Sequence, residues 1–213
     1  MAGGEAWAQS SLDPPTSFLG GRIAEHRHGY ATLGYPDVEG GVRFPRGRWD
    51  ISARLRVAYG TPSFSYIPNA VAFLAGTEVR WRVLDSGDLS GVVIASVSAG
   101  PAIGAAPVAL GLGLLSPGFL VTYRLVDVVD LTVGLQLQAD LWVQAGGVFF
   151  WGALPIIAGG EIRVGRNVVL GLRAEVGPSF AAGNVYPFTS ASVGTGSLVG
   201  GRVRAVIGAA VDF

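Results

Sequence analysis

Between Trp49 and Tyr59 the chain reads WDISARLRVAY. Odd positions carry Trp49, Ile51, Ala53, Leu55, Val57 and Tyr59; even positions carry Asp50, Ser52, Arg54, Arg56 and Ala58. A two-residue alternation marks a strand whose two faces meet different surroundings. The same rule sorts FLAGTEVRWRVL, VVDLTVGLQLQADLWV, NVVLGLRAEVGPSF and GRVRAVIGAAVDF into one apolar and one polar or glycine-rich face each. A helix would spread those residues around its circumference. The pattern predicts strands over 30–44, 48–60, 71–84, 89–100, 108–125, 128–143, 148–164, 168–180 and 201–213, with a further candidate at 17–28. Short polar links fall at 45–48, 85–88, around Asp127 and at 165–167; longer links fall at 61–70, 101–107, 144–150 and 181–200. The parity of 108–125 switches near Leu115–Gly118, where Pro117 has no N–H for a ladder, so a bulge or kink is expected there.

The polar face collects Arg43, Asp50, Arg54, Arg56, Glu78, Arg80, Arg82, Arg124, Asp130, Asp140, Glu161, Arg163, Arg173, Glu175, Arg202 and Arg204, with Asp37, Glu39 and Asp212. The opposite face is nearly all aliphatic or aromatic. Either face is a candidate for the inside. A soluble sandwich would bury the apolar one, but its strands are usually about 5–6 residues long. The segments here suit a tilted strand crossing a bilayer, which needs about 9–11 residues, plus a rim at each end. Aromatic residues near the ends of the apolar stripes, Phe44, Trp49, Tyr59, Trp81, Tyr123 and Phe213, fit lipid-facing interfacial girdles. The charges then face a lumen, and only a closed barrel leaves no sheet edge in hydrocarbon.

Composition points the same way. Only 14% of the 213 residues are charged, against roughly 25% in soluble domains. Net charge is zero, so no overall field recruits nucleic acid. The absence of cysteine removes disulfides and thiolate metal sites. Residues 89–123 and 141–160 carry no charge and are long enough for membrane helices. Prolines 101, 107 and 117 interrupt the first stretch, and helices do not explain the strict alternation beside it. Ala6-Trp7-Ala8 has A-x-A spacing, so residues 1–16 read as a signal-peptide remnant or a disordered N-terminal segment, followed by a barrel over 17–213.

The final stretch VRAVIGAAVDF, with a terminal Phe and apolar residues at every second position before it, resembles the C-terminal strand signature of Gram-negative outer-membrane β-barrels. Val211 stands where such strands often carry a second aromatic. The resemblance covers about residues 20–213 and implies a place in the bacterial outer membrane, contact with its lipid, and reading of the last strand by the barrel-assembly machinery. The expected fold is all-β: a transmembrane antiparallel up-and-down barrel with a charge-filled lumen. Such barrels have even strand numbers, so the segment at 17–28 completes about ten strands, with eight as the alternative.

Little chemistry is visible. His26 and His28 form an H-x-H pair that holds a metal only if a third ligand arrives. They read more simply as partly exposed rim residues. GTGSLVGG lacks the Lys and helix of a phosphate loop. No cofactor and no enzymatic activity are expected. The expected role is structural, or a narrow pore for small solutes or ions. The alternative is a non-conducting barrel that anchors or scaffolds other envelope proteins through loops rich in aromatic residues, at 61–70 and 144–150.

Overall fold

The computed structural model describes residues 18–59, 71–103, 109–145, 147–165, 167–183 and 196–213. Its strands are β1 (His28–Tyr35), β2 (Asp37–Arg46), β3 (Trp49–Ala58), β4 (Val71–Ser86), β5 (Leu89–Ile103), β6 (Ala109–Gly113), β7 (Gly118–Val126), β8 (Val129–Gln136), β9 (Gln138–Gln144), β10 (Gly147–Ala153), β11 (Ile156–Val164), β12 (Val168–Gly183) and β13 (Gly196–Asp212). All pairings are antiparallel. β1 pairs with β13 from His28↔Asp212 to Tyr35↔Ala205 and closes the sheet on itself.

The thirteen segments make a ring of ten, because three long strands are each divided in two. β6 and β7 both lie against β5, β8 and β9 follow one another across Leu137, and β10 and β11 both lie against β12. Backbone bonds bridge the breaks: Leu137 N donates to Pro117 O at 2.8 Å and Leu154 N to Pro178 O at 3.0 Å. Pro155 has no N–H to donate at the β10–β11 break. At β6–β7 the break is a true bulge. Ser98 faces Gly113 and Ile94 faces Gly118, so β5 spends one residue fewer over that stretch. This is the parity switch expected near Pro117.

Two expectations at the N-terminus are corrected. Of the candidate tenth strand, residues 18–27 form no strand and His28 opens β1. The predicted strand 30–44 is instead a hairpin, β1–β2, turned at Gly34–Asp37 with a cis Tyr35–Pro36 bond. The reason is visible in parity: Ala31 and Leu33 point outward at odd positions, whereas Val38 and Phe44 do so at even ones. The expected long link at 144–150 is also corrected. Gln144 pairs with Gly147, and residues 147–153 are strand β10. The other long links fall largely outside the described residues.

The four short links are tight turns. Gly47, Gly87 and Gly165 adopt φ of 64°, 58° and 77° there, a left-handed geometry that glycine adopts without a Cβ clash. All four turns lie at one end, the tight-turn rim. Every charged side chain that is exposed among the described residues lies at that rim: Glu25, Arg27, Arg46, Arg48, Asp85, Asp88 and Asp127. Beyond it the outer wall is apolar, with Leu55 67%, Ile156 64% and Ile207 64% exposed. The inner wall holds the charges, with Asp50 0% and Arg80 1% exposed. Trp49, Ile51, Leu55 and Tyr59 therefore face outward, and Asp50, Arg54 and Arg56 inward.

Candidate functional site in the lumen

The lumen is crossed near the tight-turn rim by residues 18–24, which belong to no strand. Phe18 and Leu19 pack with Tyr30, Val169 and Ala210 on the β1–β13–β12 wall. Ile23 packs with Val92, Ile94, Leu120 and Ile157 on the β5–β7–β11 side. Between these anchors the wall bonds the segment's backbone. The Glu161 carboxylate accepts Phe18 N at 2.8 Å and Leu19 N at 2.9 Å. Arg80 donates to Gly20 O at 2.7 Å and Phe18 O at 2.8 Å, and Arg43 to Phe18 O at 3.3 Å. Thr122 accepts Gly21 N at 2.6 Å, and Ser90 donates to Gly21 O at 3.0 Å. Arg22 donates to the turn carbonyls of Gly87 and Asp88 and pairs with Asp130 at 3.4 Å. The wall leaves room for the segment at Gly171 and Gly208, which face each other across β12 and β13. A Cβ on Gly171 would stand 2.7 Å from Leu19 and 3.2 Å from Phe18; one on Gly208 would stand 2.9 Å from Phe18.

Farther from the rim two carboxylates organise the arginines. Glu78 lies 3.0 Å from Arg43, 2.9 Å from Arg80 and 3.5 Å from Arg54. Arg43 also binds Asp50 at 3.1 Å and lies over the Tyr30 ring. Glu175 lies 3.0 Å from Arg173, 2.8 Å from Arg202 and 2.8 Å from Arg204. Arg204 also donates to Asp37 at 2.8 Å, and Arg202 lies over the Trp151 ring. These strands bring the residues together because each presents every second side chain inward. Buried charges of this density are tolerated only when paired and hydrogen-bonded. The cavity between the clusters has a free volume of about 60 Å³ and is lined by seven arginines and three carboxylates, with Ser96, Ser98, Ser116, Gln136 and Gln138.

The residues assigned to the lumen from the sequence divide as follows. Arg43, Asp50, Arg54, Glu78, Arg80, Arg173, Glu175, Arg202 and Arg204 meet in the two clusters, and Arg56 reaches Asp37 at 4.0 Å. Asp140 lines the cavity. Arg124 and Asp130 lie 3.6 Å apart close to Arg22, and Glu161 is turned to the crossing segment. Arg163 is half-buried near the end of β11. Arg82 keeps the inward phase opposite Val92 but sits near the rim, where it pairs with exposed Asp85 at 2.9 Å. The histidines are a correction. His26 is exposed, but His28 is wholly buried at the start of β1, with Nδ1 3.3 Å from the His26 carbonyl. Among the described residues no three His, Cys, Asp or Glu side chains cluster to hold a metal. Of the aromatic set, Phe44, Trp49, Trp81, Tyr123 and Phe213 are exposed near the tight-turn rim. Trp49 stacks on Trp81 at 5.5 Å. Tyr59 stands at the other end of β3 and donates to Gly34 O.

Sequence reasoning missed residues 18–24 and Arg22. The signal was present: SFLGGRI keeps no alternation, and Gly20-Gly21 is a poor strand interior.

A closed ring with an apolar outer wall and a charged interior is stable only with hydrocarbon outside. The chain is a transmembrane β-barrel. No protein-family model and no curated protein sequence matches it. Similar solved structures include the outer membrane protease OmpT of Escherichia coli, at 8% identity over 88% of this chain and 94% of that one, with a TM-score of 0.45. The KdgM porin in complex with disordered oligogalacturonate is 8% identical over 88% of this chain and 98% of that one, with a TM-score of 0.38. An outer membrane protein of Vibrio cholerae, OmpT folded in vitro, is 12% identical over 87% of this chain and 61% of that one, with a TM-score of 0.36. These are likenesses of fold. The expectation that the chain lacks enzymatic activity is withdrawn, because one of these barrels is a protease and the architecture does not exclude catalysis.

Proposed function

We propose that this barrel is a narrow conduit for small solutes whose own residues 18–24 hold the lumen shut at the tight-turn rim. The crossing segment carries the proposal. Its seat is half apolar anchor and half hydrogen bonds from wall side chains to backbone, groups that water can satisfy once the segment leaves. The charges left behind remain paired, so the emptied lumen is a polar pathway with its own network. The tight-turn rim is the periplasmic side in this reading, since outer-membrane barrels keep their short turns there. The aromatic residues near it sit at the lipid interface. The last strand is the element that the assembly machinery would engage.

Liposome swelling in graded small sugars tests the proposal. The full chain should admit little, and a variant with 18–24 replaced by Gly and Ser should admit the smallest sugars. If that variant, shown folded by its mobility shift on boiling, stays as tight as the full chain, the conduit is excluded. The number of bonds on the segment favours a second reading, a permanently closed barrel with a structural role. That outcome would support it.

A further inference from the structure

We infer that the lumen holds a site for a small oxyanion, a carboxylate or a phosphate, centred on Arg54 and Arg56 of β3. The inference names a solute class for the proposed conduit and rests on it in that respect; binding itself is read without transport.

The arginines of the lumen are not equally engaged. Arg80 holds Glu78 and two backbone carbonyls of the crossing segment at 2.7–2.9 Å. Arg202 and Arg204 hold Glu175 at 2.8 Å, and Arg204 holds Asp37 as well. Arg54 and Arg56 differ. Arg54 reaches Glu78 at 3.5 Å and Glu39 at 3.8 Å. Arg56 reaches Asp37 only at 4.0 Å, and its side chain is 26% exposed. Charge-assisted bonds between guanidinium and carboxylate run at about 2.7–2.9 Å when fully made.

The two residues lie two apart on one strand and so point to the same side. Both line the cavity, together with the Ser98 hydroxyl and the Gln138 amide. Its free volume is about 60 Å³, on the order of four waters at about 10–15 Å³ each, the scale of a small oxyanion group. Two of the nearby acids are already engaged: Glu39 accepts the Tyr30 hydroxyl at 2.9 Å, and Asp37 is held by Arg204. Two forked donors with spare hydrogen-bonding capacity, and neutral donors beside them, match the oxygen pair of a carboxylate or phosphate.

Calorimetric titration of the full chain in detergent tests the inference, with inorganic phosphate, glucuronate and, as the neutral control, glucose. Phosphate or glucuronate should bind and glucose should not; the tighter of the two anions identifies the source of the oxyanion. Arg56→Gln breaks only one long ion pair and so should stay folded. It should weaken anion binding at least about tenfold, the loss of one charged hydrogen bond. Arg56→Lys should recover part of the loss, and Arg46→Gln at the rim should change nothing. No binding of either anion by folded protein, or undiminished binding by Arg56→Gln, would overturn the site. Failure of the swelling experiment would not, since binding needs no passage.

Discussion

Glu78 on β4 and Glu175 on β12 each gather three arginines inside the barrel. Their surroundings differ. Arg43 and Arg80, which hold Glu78, also donate to the carbonyls of Phe18 and Gly20. The Glu175 arginines bond to side chains of the wall alone, Asp37 on β2 and Gln136 on β8. The first cluster is thus shared between wall and crossing segment, whereas the second ties β12 and β13 to β2 and β8 across the lumen. The same chemistry serves as a latch in one place and a brace in the other. What separates them is whether the spare donors of the arginines meet backbone or side chain.

Changes to the brace should cost most. Glu175→Ala leaves three buried arginines without their common partner, and removing one member of a buried ion pair costs about 3–5 kcal/mol. A urea titration of barrel unfolding should show that loss with no gain in permeability. Arg80→Ala should cost less, about 1.5–3 kcal/mol for hydrogen bonds to and from a charged group, and should raise swelling rates because Gly20 O loses the Arg80 bond and Phe18 O keeps only the longer one from Arg43. If Arg80→Ala lowers stability without opening the lumen, the latch is only another brace. Gly171→Val tests the apolar half of the seat. It crowds Leu19 and Phe18 for about 1–3 kcal/mol and should expose 18–24 to added protease while the barrel stays resistant. Trp49→Ala on the outer wall should do least. It removes a stacked pair worth about 0.5–1.5 kcal/mol and should leave permeability unchanged.

The period-2 pattern made most of the barrel legible, because lipid outside and charge inside impose opposite demands on successive residues. It told which side chains of β3, β4, β12 and β13 face inward, and the proline-marked bulge at 115–118 could be read as well. It failed where backbone outranks side chain. Residues 18–24 are held largely through their own N–H and C=O groups, which every sequence possesses, so nothing in SFLGGRI announces the bonds. The β1–β2 hairpin was hidden for another reason. Its two arms both alternate, and only the change of parity across Gly34-Tyr35-Pro36-Asp37, a turn-like run, separates two strands from one. An even strand count then drew 17–28 into the wall, although residues 18–24 cross the lumen. Which of the inward arginines keep spare donors depends on distances of a few tenths of an ångström, and no spacing in the sequence carries that information.

Single-channel recording in a planar bilayer tests the central claim, that residues 18–24 close the lumen. The chain has no cysteine, so Gly21→Cys with Thr122→Cys would form a lock that can be oxidised or reduced; a Cβ on Gly21 stands 3.0 Å from the Thr122 hydroxyl. The account predicts rare openings in the full chain and none in the oxidised pair. Openings should return on reduction, and steps should persist when 18–24 is replaced by Gly and Ser. Equal conductance in all of these proteins, each shown to be folded and inserted, would contradict it.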